Sequence, residues 1–258
     1  MKNHFYISYT GNKREEVETI YNNLDFEGID TIIEPFCGSQ AMSYYISLNK
    51  KGLKYIFNDN NKLLKEMYEI MIDDEKIKEF EKLFNETLNY IYNDKEKYNE
   101  VVNRHGTQSL LSFFISHKVY TFRPFICPPI NNREWNYKIN LKTCPIYNFY
   151  KNNDIEFYDD DWLKIYLKYK DCSNCLFLFD PPYLSTCNDF YLDSSVNVYE
   201  YFFNNPIDKE KAKIYLILEN IWIIKLLFKN NEFIIYNKNY NGYKKKKAEH
   251  IIIKNKLT

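Results

Sequence analysis

Three stretches of this chain, residues 31–36 (TIIEPF), 55–59 (YIFND) and 176–180 (LFLFD), are apolar without alternation and stop at an acidic or turn residue. A strand with one face in water alternates apolar and polar positions, whereas a strand covered on both faces does not. Such runs therefore indicate a parallel sheet held between layers of helices. A fourth run, 214–218 (IYLIL), ends just before Glu219 and Asn220 and reads the same way. In open parallel sheets the working groups collect at the carboxyl ends of the strands. The polar punctuation falls there each time.

Residues 41–49 have helical character and length, so the chain opens as strand, helix, strand, a right-handed βαβ unit. From Asn61 to about Asn153 the pattern changes to charged helical stretches (62–72 and 74–92) and then to an irregular Pro- and Asn-containing region near 122–140. This division predicts a core of residues 1–61 and 154–258 and a mostly helical insertion, 62–153. The strand pattern resumes at 155–158 (IEFY). Two later runs, 232–236 and 250–254, are joined by a connection too short for a crossover helix and are predicted to pair antiparallel. The expected fold class is α/β: a Rossmann-like sheet, mostly parallel with a terminal antiparallel hairpin, plus the helical insertion.

Composition narrows the setting. Lys and Arg total 35, as do Asp and Glu, so no global basic field exists and any nucleic-acid contact must come from local patches. No apolar run approaches the roughly 18 residues of a membrane span, and residues 1–4 lead into no signal-peptide core. The cysteines are too sparse for a secreted disulfide scaffold. A soluble, cytoplasmic protein with no membrane partner is expected. Cys172-Ser173-Asn174-Cys175 has zinc-like spacing but no second pair beside it, and the four histidines form no HxxxH pattern, so no metal is expected. The absence of a GxSxG elbow or a Walker loop removes support for hydrolase and phosphoryl-transfer readings.

The chemistry concentrates at Asp180-Pro181-Pro182-Tyr183. Two prolines directly after a buried strand end its ladder, because neither donates, and leave carbonyl groups directed outward. An exocyclic aromatic amine needs such acceptors, since its lone pair is delocalised into the ring. A carboxylate and a carbonyl accepting both N–H bonds localise that pair and stabilise the charge that develops on alkylation. Asp180 and the Pro181 carbonyl suit those roles, and Tyr183 suits stacking on a base removed from its duplex. A second group surrounds the first strand-to-helix turn, where Gly38 permits close approach of a ligand to the backbone. Asp59 follows it by about the roughly 20-residue spacing at which an acid holds ribose hydroxyls.

These residues resemble the Dam-like class of DNA adenine-N6 methyltransferases, in the order cofactor half, recognition insertion, catalytic half. Tyr9-Thr10-Gly11-Asn12-Lys13 is similar to the family's aromatic-x-Gly-Gly/Asn-Lys element, Phe36-Cys37-Gly38-Ser39-Gln40 to its FxGxG turn, Asp59-Asn60-Asn61 to its Asp-x-Asn, and Asp161-Trp162 to its Asp-aromatic pair. Asn220 and the segment 249–255 resemble the family's late elements. The resemblance implies S-adenosylmethionine as cofactor and S-adenosylhomocysteine as product. Tyr9, Lys13, Glu34, Phe36, Gly38, Asp59, Asp161 and Asp180 would form its site, with Lys13 on the cofactor carboxylate, Asp59 on the ribose and Asp161 near the cofactor adenine. It makes Asp180, Pro181, Pro182 and Tyr183 catalytic, DNA the partner, and residues 62–153 the target-recognition region. Two departures stand out. Gln40 replaces the second glycine of the turn and is expected to crowd the methionine end of the cofactor, and of the family's aromatic-Arg segment only Phe122-Arg123 remains.

Lys244, Lys245, Lys246 and Lys247, in the expected hairpin loop, are candidates for phosphate contacts alongside Arg123. Arg104, Lys118 and Arg133 join them on position alone. The expected reaction is in-line methyl transfer to adenine N6 without covalent intermediate or metal. Its alternatives are an N4-cytosine or RNA adenine methyltransferase and a decayed methyltransferase that binds DNA without turnover. Oligomeric state is open, with a homodimer as one option.

Overall fold

The computed structural model describes residue 5 and residues 13–91, 94–105, 109–118, 139–184, 197–239 and 247–256. In chain order the elements are α1 (Val17–Tyr21), β1 (Thr31–Glu34), α2 (Ala41–Asn49), β2 (Lys54–Asn58), α3 (Lys62–Met71), α4 (Asp74–Tyr90), α5 (Lys95–His105), α6 (Leu110–Lys118), α7 (Pro145–Asn152), β3 (Asp154–Tyr158), α8 (Trp162–Tyr169), β4 (Cys175–Phe179), α9 (Val198–Asn204), β5 (Lys213–Glu219), α10 (Trp222–Leu227), β6 (Glu232–Asn239) and β7 (Lys247–Lys254). They cluster into two compact units, one of residues 13–61 and 153–258, the other built on residues 62–152.

The first unit is the sheet. Its seven strands run in the order β3-β2-β1-β4-β5-β7-β6, with β1 through β5 mutually parallel and β7 antiparallel to both β5 and β6. The fold class read from the sequence is the one observed. The unalternating runs are the inner strands: every residue of β1, β4 and β5 is buried, because helices cover both faces. β3, at one edge, keeps only Phe157 buried.

Aromatic side chains fill the layer on one face of β4. Phe179, fully buried, meets Trp162 at 5.9 Å and 83° and Phe202 at 5.3 Å and 88° between ring centroids. Tyr166 joins Phe177 and Phe202 at 5.6 and 5.3 Å. These edge-to-face contacts add roughly 0.5–1.5 kcal/mol each beyond area burial, and they fix α8 and α9 against the strand whose end carries Asp180.

Helix starts follow side-chain capping. Asp161 accepts from the Leu163 amide at the start of α8, and Asn197 accepts from Tyr199 and Glu200 at the start of α9. Each satisfies amides that have no partner within the helix.

The second unit is helical among its described residues, α3 to α7 with a 3-10 turn at Leu141–Thr143. Asp73 caps α4 through the Glu75 and Lys76 amides. Phe80, Phe84 and Phe114 form its core, with Phe114 set edge-on to the other two at 5.2 and 5.6 Å.

Candidate active site

The sheet order makes β1 and β4 neighbours although most of the chain's elements lie between them. From that pair the connections wind outward in opposite directions, and a crevice opens above the carboxyl ends of the two strands. The turn after β1 carries Glu34 to Gln40; the turn after β4 carries Asp180 to Tyr183. Two segments far apart in sequence are thus brought together by topology alone.

The β1 turn is held from beneath. The Gly38 amide donates to Asp59 Oδ2 at 2.9 Å, and Asp59 Oδ1 accepts from Asn61 at 3.0 Å. Gly38 has φ +45°, a left-handed conformation that glycine adopts without steric penalty. Burial pushes the Asp59 carboxyl up to about 6, against the pull of the two amides. Glu34, at the end of β1, is 1% exposed and accepts from the Ser43 amide at 2.9 Å and from the Ser43 hydroxyl. Burial lifts it to about 8; the Ser43 bonds oppose that rise and the neighbouring Asp180 adds to it. Burial thus favours the protonated form of Glu34, which sits under the turn.

Gln40 is the single non-glycine residue with positive φ among the described residues, at +51°. It is fully buried, and its amide turns back to donate to the Gly38 carbonyl at 3.1 Å and to Cys37 Sγ at 3.7 Å. The side chain is folded into the turn instead of extended toward solvent.

Asn58 ties three strand ends. Its Nδ2 donates to the Pro35 carbonyl at 3.1 Å and the Asp160 carbonyl at 3.0 Å, while its Oδ1 accepts from the Asp160 amide at 3.0 Å. The backbone carrying Phe36 and Gly38 and the backbone carrying Asp161 are locked to β2 by this one buried amide. Phe36 packs on Trp162 at 5.9 Å, and Asp161 is the α8 cap.

Across the crevice, Asp180 Oδ2 lies 2.5 Å from Lys13 Nζ, with side chains 16% and 6% exposed. Burial raises the Asp180 carboxyl and the Lys13 ammonium draws it back down. Lys13 Nζ also sits 5.0 Å from the centroid of the Tyr183 ring, within cation–π range. Pro181 is buried, Pro182 and Tyr183 are half-buried, and the Pro182 carbonyl accepts from the Tyr199 hydroxyl of α9 at 3.1 Å.

The structure thus brings Lys13, Glu34, Phe36, Gly38, Asp59, Asp161 and Asp180 to Tyr183 onto the carboxyl edge of one sheet. Tyr9, Arg123, Lys244, Lys245 and Lys246 lie outside the described residues. Lys247 opens β7 opposite Asn239. Arg104 is exposed on α5 in the other unit. Cys172 and Cys175 are free thiols, and among the described residues no group of His, Cys, Asp and Glu is arranged to hold a metal ion.

Reading the sequence missed a buried charged cluster behind Tyr183. Glu16, 2% exposed, lies 2.6 Å from His250 Nδ1 and 2.6 Å from Lys238 Nζ, and accepts from the Tyr236 hydroxyl at 2.8 Å. Burial works to raise the Glu16 carboxyl, but the His250 hydrogen bond together with the Lys13 and Lys238 charges holds it down at about 2. Nothing in the local sequence flags Glu16. His250 gave a faint signal, as a polar residue opening an otherwise apolar run.

The sequence model of a family described as D12 class N6 adenine-specific DNA methyltransferase matches residues 9–204. A search of curated proteins found no match. Among solved structures, a precorrin-6y C5,15-methyltransferase from Geobacter metallireducens GS-15 is similar at 8% identity and TM-score 0.37, covering 98% of each chain. The N-terminal domain of human METTL16 in complex with SAH is similar at 9% identity and TM-score 0.33, covering 93% of this chain and 67% of that one.

Proposed function

Since the matched segment spans well over half of it, the chain belongs to the D12 class of N6 adenine-specific DNA methyltransferases, and we propose that it moves a methyl group from S-adenosylmethionine to N6 of an adenine turned out of its duplex within a short specific sequence. The observation that supports this reading best is Asp180, a half-buried carboxylate at the end of β4, the strand beside β1, and paired with Lys13.

The residues present fit the cofactor. A carboxylate offers roughly four acceptor sites; those of Asp59 that serve Gly38 and Asn61 leave others for ribose hydroxyls. Lys13 is a buried cation suited to a carboxylate, and Asp161 is fixed by its capping role at the end of β3. When bound, S-adenosylmethionine supplies a methyl group activated by sulfonium charge.

The protein's own work is placement and electrostatics. Asp180 and the Pro181 carbonyl accept the two N–H bonds of the amine, which localises its lone pair toward the incoming methyl. The raised proton affinity of Asp180 suits it to take the proton that N6 releases. The bond from Tyr199 to the Pro182 carbonyl holds the turn in shape while Tyr183 stacks on the base. Residues 62–153, with Arg123 and the lysines at 244–247, are assigned to DNA contact and target choice.

The test is nucleoside analysis of duplex DNA free of methylation after incubation with protein and cofactor. N6-methyladenine is the expected product. N4-methylcytosine alone, or modification of RNA alone, would overturn the assignment. Asp180→Ala is expected to lower methyl transfer by roughly 10²–10³-fold, as loss of a charge-stabilising group does elsewhere, with cofactor binding nearly unchanged. Asp59→Ala should do the reverse, weakening cofactor binding by roughly 10–100-fold, the range of a lost hydrogen bond to a charged group.

A further inference from the structure

The buried cluster around Glu16 is not used by the reaction as described, yet it touches the residues that are. Glu16 remains ionised, so it is an acceptor and the Nδ1 of His250, 2.6 Å away, carries the proton between them. The Tyr183 hydroxyl stands 3.4 Å from the same Nδ1, too far for a strong hydrogen bond to a nitrogen already committed to Glu16. What joins the two residues is ring on ring: the His250 and Tyr183 planes are perpendicular, with centroids 5.2 Å apart.

His250 itself has little freedom. It lies on β7 between Glu219 of β5 and Tyr236 of β6, is 1% exposed, and packs against the Tyr236 ring at 76°. Tyr183, in contrast, follows two prolines beyond the end of β4, and its ring meets the Lys13 ammonium at 5.0 Å as well as the His250 ring.

We infer that His250, oriented by Glu16, is a positioning residue that sets the plane of the Tyr183 ring on which the target base stacks. This rests on the adenine-methylation reading above and adds to it a role for the β6–β7 hairpin. The chain of contacts runs from the hairpin through His250 to Tyr183, and from Glu16 through the adjoining helical turn to Lys13, where the Glu16 amide donates to the Lys13 carbonyl at 2.7 Å. Both sides of the Asp180–Tyr183 turn are thereby referenced to one buried carboxylate.

Two substitutions separate the imidazole's two tasks. His250→Asn places an amide nitrogen near the former Nδ1 and keeps the bond to Glu16 but removes the ring. His250→Phe keeps a ring against Tyr183 and removes the bond. Each is read with a duplex carrying 2-aminopurine at the methylatable position, whose fluorescence rises when the base leaves its stack, together with kcat and S-adenosylhomocysteine binding by calorimetry.

We expect His250→Asn to change the fluorescence amplitude markedly and to lower kcat at least tenfold, with the S-adenosylhomocysteine Kd within twofold of the parent, and His250→Phe, which keeps the ring without its anchor on Glu16, to recover only part of the amplitude. Parent-like amplitude and kcat in His250→Asn would overturn the inference, as would equal loss of cofactor binding in both variants. Failure of the unmodified protein to methylate adenine in any duplex would instead overturn the underlying reading, so the two failures are distinguishable.

Discussion

Asp180 is subject to two opposed influences, burial that favours its protonated form and the Lys13 ammonium 2.5 Å away that favours the anion. To accept an N–H bond from the amine it must be ionised. Lys13→Met removes the restraining charge, so the carboxyl rises further and the acidic limb of the kcat/KM profile should move to higher pH; an unmoved limb would show that Asp180 does not govern it. Gln40 permits a similar argument. Its left-handed backbone costs roughly 1–2 kcal/mol relative to glycine, while its buried amide bond to Gly38 returns about 1 kcal/mol. Gln40→Gly should therefore leave S-adenosylhomocysteine affinity within about threefold and stability within about 1 kcal/mol of the parent, by calorimetry and urea denaturation. A tenfold gain in affinity would mean that the side chain does crowd the cofactor, as the sequence led us to expect. The one-dimensional pattern shows that a residue replaces glycine, but not that its side chain folds back.

Among the elements, β4 carries the most. Phe179 touches Phe36, Trp162, Tyr166 and Phe202, so it connects the turn after β1, α8 and α9 to the strand that ends in Asp180. Phe179→Ala should cost about 3–5 kcal/mol, the usual penalty for emptying a buried aromatic site, seen as a lower urea midpoint with unchanged slope. How much the sequence disclosed follows from the same physics. The unalternating runs identified β1, β2, β4 and β5 because covered strands have no alternative composition, and residues 41–49 coincide with α2. The short helices α1, α9 and α10 were not anticipated, since five to seven residues carry too little periodicity to register. The candidate site was legible where chemistry imposes a motif, at Asp180 to Tyr183, Gly38 and Asp59, which the sheet order gathers at neighbouring strand ends. It was illegible where tertiary contact alone defines a role: the clamp of Asn58, the Tyr199 bond to Pro182, and Glu16 with His250.

For the molecule as a whole, the unusual carboxyls pull stability in opposite directions with pH. Glu16, held down at about 2 from 4.5, contributes stability that is present above its unfolded value and lost as pH falls through about 2. Glu34 is raised to about 8, so between 4.5 and that value the folded protein binds a proton that the unfolded chain has released. Stability must then decline as pH rises through the same window, and Asp59, raised to about 6, adds to the decline at its lower end. Thermal melting should therefore give its highest Tm in mildly acidic buffer and fall toward about pH 8, and Glu34→Gln should flatten that fall; an unchanged slope would exclude Glu34 as its source. The place of β7 in the sheet has a consequence for biosynthesis. Lys13 and Glu16 precede every strand of the sheet in chain order, whereas His250 lies on β7, the last of its seven strands. A nascent chain that has completed the Asp180–Tyr183 turn but not Lys247–Lys254 still exposes one edge of β5 and buries no imidazole beside Glu16. Covering that edge of β5 and enclosing the Glu16 carboxylate beside an imidazole are thus one event, tied to the arrival of β7.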